Sequence, residues 1–362
     1  MNTLHLMTSG KIGGIERLMC DYATYSTNKN TFVFLKGTGG DISDEIRANG
    51  NFVIELSNSK KNIIGTIKAI KKICKENNID VCITHFASPI FFVTLIALKR
   101  WNKNIKTIVY THKNPTDIAI DSAKNRIKNR FFVRACKSSD CVIAISKHVK
   151  ERICEDLKVK PSKVKVIYNG VDIKKFASSN YDLKNPLRLI YVGRLVYVKG
   201  VQLIVDKLQL LQHNNIDFKF TIVGEGEYKT ELVEKITNLN LNERVDFVGK
   251  RKNVACFLKD ADIFIHIPIC EEGFGITVVE AMLAGCICIC NDKGALPEII
   301  EDKVSGYIIK NNSDKEFLEV INNIILKRES NLKMICEAQK SASKYSIENY
   351  SKIMDNLIQT LN

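Results

Sequence analysis

Apolar residues along this chain come in short runs, and amphipathic stretches of helical length separate them almost throughout. In the first half the runs fall at residues 3–7, 31–35, 52–56, 81–84, 106–110, 141–145 and 164–167. In the second half they fall at 188–192, 219–223, 245–248, 263–267, 287–290 and 307–309. Short strands alternating with helices argue for parallel sheets covered on both faces. Residues 176–187 contain Ser178-Ser179-Asn180 and Asn185-Pro186, break the rhythm and read as a linker. The expected organisation is an α/β chain of two Rossmann-like domains facing each other across a cleft. The first spans 1–177, a linker follows at 178–187, the second spans 188–345, and a lone helix closes the chain over 346–362. In such domains ligands gather at the carboxyl ends of the strands.

A length of 362 residues is too great for one ordinary core, which agrees with two domains. With 45% hydrophobic and 26% charged residues, the chain is globular and not disordered. Residues 1–10 already alternate like a strand, so no export signal is expected. The longest apolar run, 87–98, is too short to cross a bilayer and reads as a buried helix. The 12 cysteines form no C-x-x-C pair and read as reduced thiols of a cytoplasmic protein. Cys286, Cys288 and Cys290 recur at every second position, so they share one strand face and pack there. The formal charge of +14 is unevenly spread: residues 1–180 hold 31 Lys and Arg against 15 Asp and Glu, and the remainder is nearly balanced. An acidic partner for the first half follows, a membrane surface, a lipid diphosphate or a nucleic acid.

Chemistry concentrates in Glu272-Gly-Phe-Gly-Ile-Thr-Val-Val-Glu280. Gly273 and Gly275 permit close backbone approach, and a helix starting near Ile276 offers unpaired N–H groups to a phosphate. Glu280, one turn in, is placed to accept from a ribose diol. The competing reading is a strand-to-helix turn with two solvated acids. In Tyr191-Val-Gly-Arg-Leu-Val-Tyr-Val-Lys-Gly200, a strand ends at Val192, Gly193 allows the turn, and Arg194 and Lys199 follow, where two cations would neutralise a departing diphosphate, although two surface cations near a turn are the competing reading. Gly224 and Gly249 mark two weaker strand exits, which ordinary turns also explain. Gly13 and Gly14 follow the first strand without the spacing of a dinucleotide fingerprint. His112, just past a strand end, can bond a sugar hydroxyl, although a lone histidine is more often structural; His85 is placed alike. Asp260-Ala-Asp262 has a metal-binding form, but it abuts a strand and Lys259, so no metal is expected. Over 124–137, Arg126, Arg130, Arg134 and Lys137 share a helical face beside Ile127, Phe131 and Ala135, the pattern of a helix lying on an anionic bilayer or of a core helix with a solvated basic side.

These residues together resemble the family 4 (group 1) glycosyltransferases of the GT-B fold. The resemblance covers nearly the whole chain and rests on Gly13-Gly14-Ile-Glu16, Val166-Ile-Tyr-Asn-Gly-Val-Asp172, Gly193-Arg194 with Lys199-Gly200, Glu272-Gly-Phe-Gly with Glu280-Ala-Met, Gly294-Ala-Leu-Pro-Glu298 and Ser305-Gly-Tyr307. It implies a retaining, metal-independent transfer of a sugar from a nucleotide-sugar donor, a UDP-sugar first among them, to a hydroxyl acceptor. That acceptor would be a lipid-linked glycan in surface-polysaccharide assembly, and the enzyme would sit peripherally on the inner face of the cell membrane. Arg194 and Lys199 would hold the diphosphate, Glu272 the transferred sugar and Glu280 the ribose. The backbone of Phe274 to Ile276 would meet sugar and phosphate, His112 would touch the sugar, and Gly13 and Gly14 would approach the phosphates. The closing helix would cross back to the first domain. Cys286 stands where the family often has proline, at a structural position. A nucleotide-sugar 2-epimerase, a synthase with a soluble acceptor and a non-catalytic binding protein are the alternatives. Helix-turn-helix signals and an aromatic-rich basic platform are missing, so nucleic acid is not an expected partner.

Overall fold

The computed structural model describes residues 1–11, 13–35, 39–56, 62–85, 88–112, 114–115, 123–178 and 183–361, with the side chains of 123–128 left out. The chain divides into two compact units, residues 1–170 with 347–362 and residues 171–346.

In the first unit the strands are β1 (Asn2–Met7), β2 (Lys29–Phe34), β3 (Phe52–Glu55), β4 (Val81–Thr84), β5 (Lys106–Thr111), β6 (Cys141–Ala144) and β7 (Val164–Val166). They form one parallel sheet in the order β3-β2-β1-β4-β5-β6-β7. Its helices are α1 (Gly14–Tyr25), α2 (Asp41–Ala48), α3 (Ile63–Glu76), α4 (Pro89–Trp101), α5 (Ala123–Ser138) and α6 (Lys147–Asp156). Central strands β4 and β6 are buried at every position, which is why they read as continuous apolar runs and not as alternation. Side-chain caps fix two helix starts: Asn62 accepts from the Gly65 N–H and Ser146 from the Val149 N–H. Residues 89–98 of the apolar stretch lie in α4, burying Ile90, Phe91, Phe92, Leu95 and Leu98, and residue 87 lies outside the described residues.

The second unit contains α7 (Ile173–Phe176), β8 (Leu187–Val192), α8 (Val201–His213), β9 (Phe218–Val223), α9 (Lys229–Asn238), β10 (Val245–Gly249), α10 (Ala255–Lys259), β11 (Ile263–His266), α11 (Ile276–Ala284), β12 (Ile287–Asn291), α12 (Leu296–Ile299), β13 (Tyr307–Ile309), α13 (Asp314–Leu326) and α14 (Arg328–Ser343). Its parallel sheet runs β10-β9-β8-β11-β12-β13. Helix α8 buries Val201, Ile204, Val205, Leu208 and Leu211, one stripe at helical spacing, against Phe218, Phe220 and Ile222 of the sheet's core. Cys286, Cys288 and Cys290 are fully buried free thiols in and before β12. In each sheet the strand order reverses once, between β1 and β4 and between β8 and β11, and at such switch points strand exits diverge to leave a crevice.

The final helix, α15 (Ile347–Thr360), groups with the first unit. It buries Ile347, Tyr350, Met354 and Ile358 on one face, each worth about 1.5–3 kcal/mol. Asp355 on that face accepts from the hydroxyls of Tyr22 (2.7 Å), Ser26 (2.9 Å) and Thr27 (2.8 Å), the Thr27 N–H (2.6 Å) and the Asn28 amide (2.8 Å). The boundary lies earlier in the chain than the sequence placed it. The first unit ends at Gly170, whereas the sequence reading ran it to 177. Val171 donates to the Tyr345 carbonyl at 2.8 Å and pairs with Ser346, and α7 packs on α10 and α11, so 171–176 belong to the second unit. Of the expected linker, 179–182 lie outside the described residues.

The basic helix α5 differs from expectation on its apolar side. Phe132, 3% exposed, is its core residue with Ala135 and Cys136, while Phe131 is only half-buried. The Phe132 ring packs on Phe92 of α4 at 5.0 Å, and that contact sets the buried face. Arg130, Arg134 and Lys137 are exposed, and the side chains of Arg126 and Ile127 lie outside the described residues. No described helix is long and apolar enough to cross a membrane.

Candidate active site

The exits of β8 and β11, neighbours at the switch point of the second sheet, carry the charged groups. After β8 the chain passes Gly193 and Arg194, then makes a short 3-10 turn over Tyr197–Lys199. Gly193 and Leu195 donate to the carbonyls of Val223 and Glu225, both at 3.0 Å, so the β8 and β9 exits run flat against each other. Gly224 in turn donates to the Gly249 carbonyl at 3.0 Å, which brings the β10 exit alongside. Gly200 ends the turn in the left-handed region at φ +72°, and a Cβ there would lie 2.2 Å from the Ile267 carbonyl oxygen. A glycine is therefore required to press the Lys199 turn onto the β11 exit. The fit is closed by the N–H groups of Ile269 and Cys270, which donate to the Val198 carbonyl.

Beyond β11 the chain reaches Glu272, held from below by Gly294-Ala-Leu-Pro. Ala295 donates to the Glu272 carbonyl at 2.8 Å. Gly294 has φ +61°, and a Cβ there would fall 2.2 Å from the same carbonyl oxygen. Lys199 Nζ lies 2.7 Å from Glu272 Oε2, and His266 Nε2 lies 3.0 Å from that oxygen. Oε1 has no partner among the described residues, in a side chain that is 14% exposed. Burial alone would raise the Glu272 carboxyl, but the His266 ring and the Lys199 ammonium outweigh it and hold the group well below the usual carboxylate range. No described residue pairs with the exposed Arg194 guanidinium, whose own carbonyl accepts from the Tyr191 hydroxyl at 3.2 Å.

Gly275, at φ +99°, caps α11 without a side-chain bond. The first intrahelical donors are Val278 and Val279, which leaves the N–H groups of Ile276 and Thr277 for a ligand. Gly273 is half-buried between Glu272 and Phe274, and Phe274 is buried with its ring edge-on to Tyr345 at 5.3 Å. Half-buried Glu280 lies one turn inside the helix. The Asp260-Ala-Asp262 carboxylates stand at the opposite end of the sheet, engaged with Arg188 at 2.7 Å each.

In the first unit the β1 exit leads to Gly13 and Gly14 at the start of α1. Nothing stands within 4 Å of a Cβ built at Gly14, but one at Gly13 would meet the Glu16 carboxylate at 2.3 Å. That carboxylate folds back over the helix start, and burial raises it. His112 follows β5, its ring stacked on Tyr110 at 4.1 Å. It is the end of a chain of imidazoles: His112 Nε2 contacts His85 Nδ1 at 3.3 Å, and His85 Nε2 contacts His5 Nδ1 at 2.9 Å. His5 Nε2 reaches Asn30 Oδ1 at 3.2 Å. Burial keeps all three rings neutral, lowering His5 to about 4 and His112 to about 3. His112 Nδ1 has no partner among the described residues.

The second unit thus brings together Lys199 and Glu272 directly, beside Arg194 and the α11 start. Sequence reasoning missed His266. Its one signal is a polar residue ending β11, a strand buried at every position, six residues before Glu272.

Residues 12–175 match the family described as Glycosyltransferase Family 4, and residues 173–341 match Glycosyl transferases group 1. An uncharacterized glycosyltransferase of Methanocaldococcus jannaschii is 30% identical over 273 residues, covering 74% of this chain and 72% of that protein. The UDP-Gal:alpha-D-GlcNAc-diphosphoundecaprenol alpha-1,3-galactosyltransferase of Escherichia coli is 27% identical over 74% of this chain and 71% of its own. N-acetyl-alpha-D-glucosaminyl L-malate synthase of Bacillus anthracis is 27% identical over 66% of this chain and 63% of its own. Among solved structures, HepE of Anabaena in complex with UDP superposes with a TM-score of 0.84 at 22% identity, covering 99% of this chain and 100% of that one. Sucrose-phosphate synthase from Thermosynechococcus elongatus superposes at 0.81 with 16% identity, covering 100% and 99%. The chain belongs to the group 1 glycosyltransferases and has their GT-B fold of two Rossmann-like domains.

Proposed function

We propose that this glycosyltransferase is a retaining, metal-independent enzyme that moves a hexosyl or N-acetylhexosaminyl group from a UDP-sugar to a hydroxyl of a lipid-linked glycan. The observation that carries the reading is the Lys199–Glu272 pair at the β8 and β11 exits, with Oε1 left without a described partner shortly before α11 begins. Lys199 and Arg194 neutralise the diphosphate, as a point charge and a fork respectively. Glu272 accepts from a hydroxyl of the transferred sugar and Glu280 from the ribose. The Phe274 to Ile276 backbone meets sugar and phosphate. His112 contributes a neutral ring to the sugar, and Gly13 and Gly14 approach the phosphates.

The sugar–phosphate bond breaks with its electron pair leaving on the diphosphate, which Arg194 and Lys199 stabilise. The acceptor hydroxyl attacks from the same face, and its proton passes to the departing phosphate oxygen. Retention follows without an enzymatic nucleophile or a metal. The name of the Escherichia coli relative specifies a UDP-sugar and a polyprenyl diphosphate, which supports both halves of the reading. Arg130, Arg134 and Lys137, exposed on α5, supply positive charge for an anionic membrane surface, and with it a peripheral place on the inner face of the cell membrane.

A second reading, a soluble acceptor, is favoured by the relative whose name specifies malate. Thermal shift against UDP-, GDP-, ADP- and TDP-sugars, with and without EDTA, tests the donor and the metal-free site. A UDP-sugar that raises the melting temperature equally with EDTA supports the reading; a shift abolished by EDTA overturns the metal-free part. The anomeric configuration of the product tests retention, and its partition between organic and aqueous phases separates a lipid-linked from a soluble acceptor. Conversion of donor without acceptor would instead mark an epimerase.

A further inference from the structure

The proposed roles leave one side chain of the site unused. His266 ends β11, is 3% exposed, and lies near-parallel to the rings of Tyr191 and Phe264 at 6.2 and 6.1 Å. Its Nε2 meets Glu272 Oε2, the same oxygen that Lys199 occupies. A carboxylate only accepts, so Nε2 carries the hydrogen of this contact.

We infer that His266 is the fixed anchor of Glu272: a positioning residue that keeps Oε1 aimed at a hydroxyl of the donor sugar while Lys199 turns to the diphosphate. The inference rests on the nucleotide-sugar reading above. The two donors on Oε2 differ in mobility. Lys199 is an ammonium on a flexible four-carbon stem with three donors, free to exchange one anion for another. His266 belongs to a strand hydrogen-bonded on both sides, to β8 and to β12, and its ring is enclosed, so it cannot follow a ligand.

When a diphosphate draws Lys199 away, Glu272 faces added negative charge with one donor fewer. Without His266 nothing on Oε2 would oppose rotation of the carboxylate away from the ligand. With it, Oε2 stays bonded and Oε1 keeps its direction. An oxygen so held selects a group that donates, a sugar hydroxyl, and disfavours a second carboxylate. The arrangement therefore serves recognition of the sugar and not of the nucleotide.

The test compares UDP with UDP-glucose and UDP-N-acetylglucosamine by calorimetry on the full chain. His266→Phe keeps a ring of similar size and removes the donor; His266→Gln restores an amide donor. The expected result is that His266→Phe binds UDP within about twofold of wild type and loses about tenfold or more of the preference for the better sugar nucleotide over UDP. His266→Gln recovers most of it. Equal weakening of UDP and the sugar nucleotides would mark a merely structural residue, and an unchanged preference would dismiss the anchor; either overturns the inference. A ligand-free measurement stands beside it. With histidine labelled by nitrogen-15, the Nε2 resonance of His266 should move in Glu272→Ala and persist in Lys199→Ala. If Glu272→Ala leaves it unmoved, the contact is not made and the anchor fails. Should the wild-type chain bind none of the nucleotides, the nucleotide-sugar reading falls, and the ring signal alone decides the anchor.

Discussion

Lys199 Nζ meets Glu272 Oε2 at 2.7 Å across the exits of two neighbouring strands, so a cation and an acid 73 residues apart neutralise each other. Lys199→Ala removes the charge proposed to hold the leaving diphosphate. Turnover should fall by about 10²–10³ or more while circular dichroism stays that of a folded chain. Near-normal turnover would sink the role.

The same pair makes an acid-side prediction. The Glu272 carboxyl is lower in the folded chain than in the unfolded one, so the unfolded state binds more protons in acid. Its contribution is present in full above the ordinary carboxylate value and is lost as pH falls below that value toward the depressed one. In Lys199→Ala part of this contribution is already missing at neutral pH. Denaturant midpoints of variant and wild type should therefore converge as pH is lowered; a gap that stays constant would show that the pair does not set the Glu272 carboxyl.

Gly294→Ala probes the support beneath the acid. At φ +61° an alanine is strained, and its Cβ would press on the Glu272 carbonyl. A loss of about 1–3 kcal/mol is expected, with transfer reduced further because Glu272 is displaced. Unfolding of the second unit and initial rates measure the two effects. An alanine variant as stable and active as wild type would show that the loop adapts freely.

In the first unit, His5, His85 and His112 are neutral where an unfolded chain would protonate them. Burial is the leading cause for each, so the unfolded state binds more protons and stability rises with pH. This contribution is complete above about 6.5 and is lost as pH falls toward 4, by up to about 1.4 kcal/mol per pH unit for each ring. Urea melts of this unit between about pH 7.5 and pH 4.5 should show the slope, and His5→Gln should flatten it by one ring's share. A flat wild-type profile would contradict the neutral chain.

Asp355→Ala should release α15. It strips one acceptor from five hydrogen bonds and strands buried donors on Tyr22 and Asn28, at a cost of about 3 kcal/mol or more. Hydrogen exchange should speed over Ile347–Thr360 and leave α8 protected. Uniform protection in the variant would mean that the apolar face of the helix suffices.

The strands were legible in the chain because a parallel strand covered on both faces must be apolar at nearly every position, as at 81–84 and 263–267. The faces of helices were less so. Phe131 and Phe132 both fit a buried stripe on α5, and only the ring of Phe92 selected Phe132. The boundary at Gly170 was hidden for a related reason. Composition marks 176–187 as irregular, but the pairing of Val171 with Ser346 assigns the preceding residues to the second unit.

The candidate acids and cations were likewise visible as residue types at strand exits, because an apolar run that stops at a glycine marks such an exit within a few residues. The sequence by itself determined the alternation of strand and helix, the two-domain plan and the family, and marked Arg194, Lys199, Glu272 and Glu280 as candidates. The tertiary structure alone decided that Lys199 and His266 share one oxygen of Glu272, that His112 ends a buried imidazole chain, and that Asp355 ties the last helix to Tyr22. The physical reason is that hydrophobic periodicity and backbone conformation are local properties, written within a few residues. A hydrogen bond between side chains 73, 80 or 333 positions apart exists only once the sheets have brought those positions together.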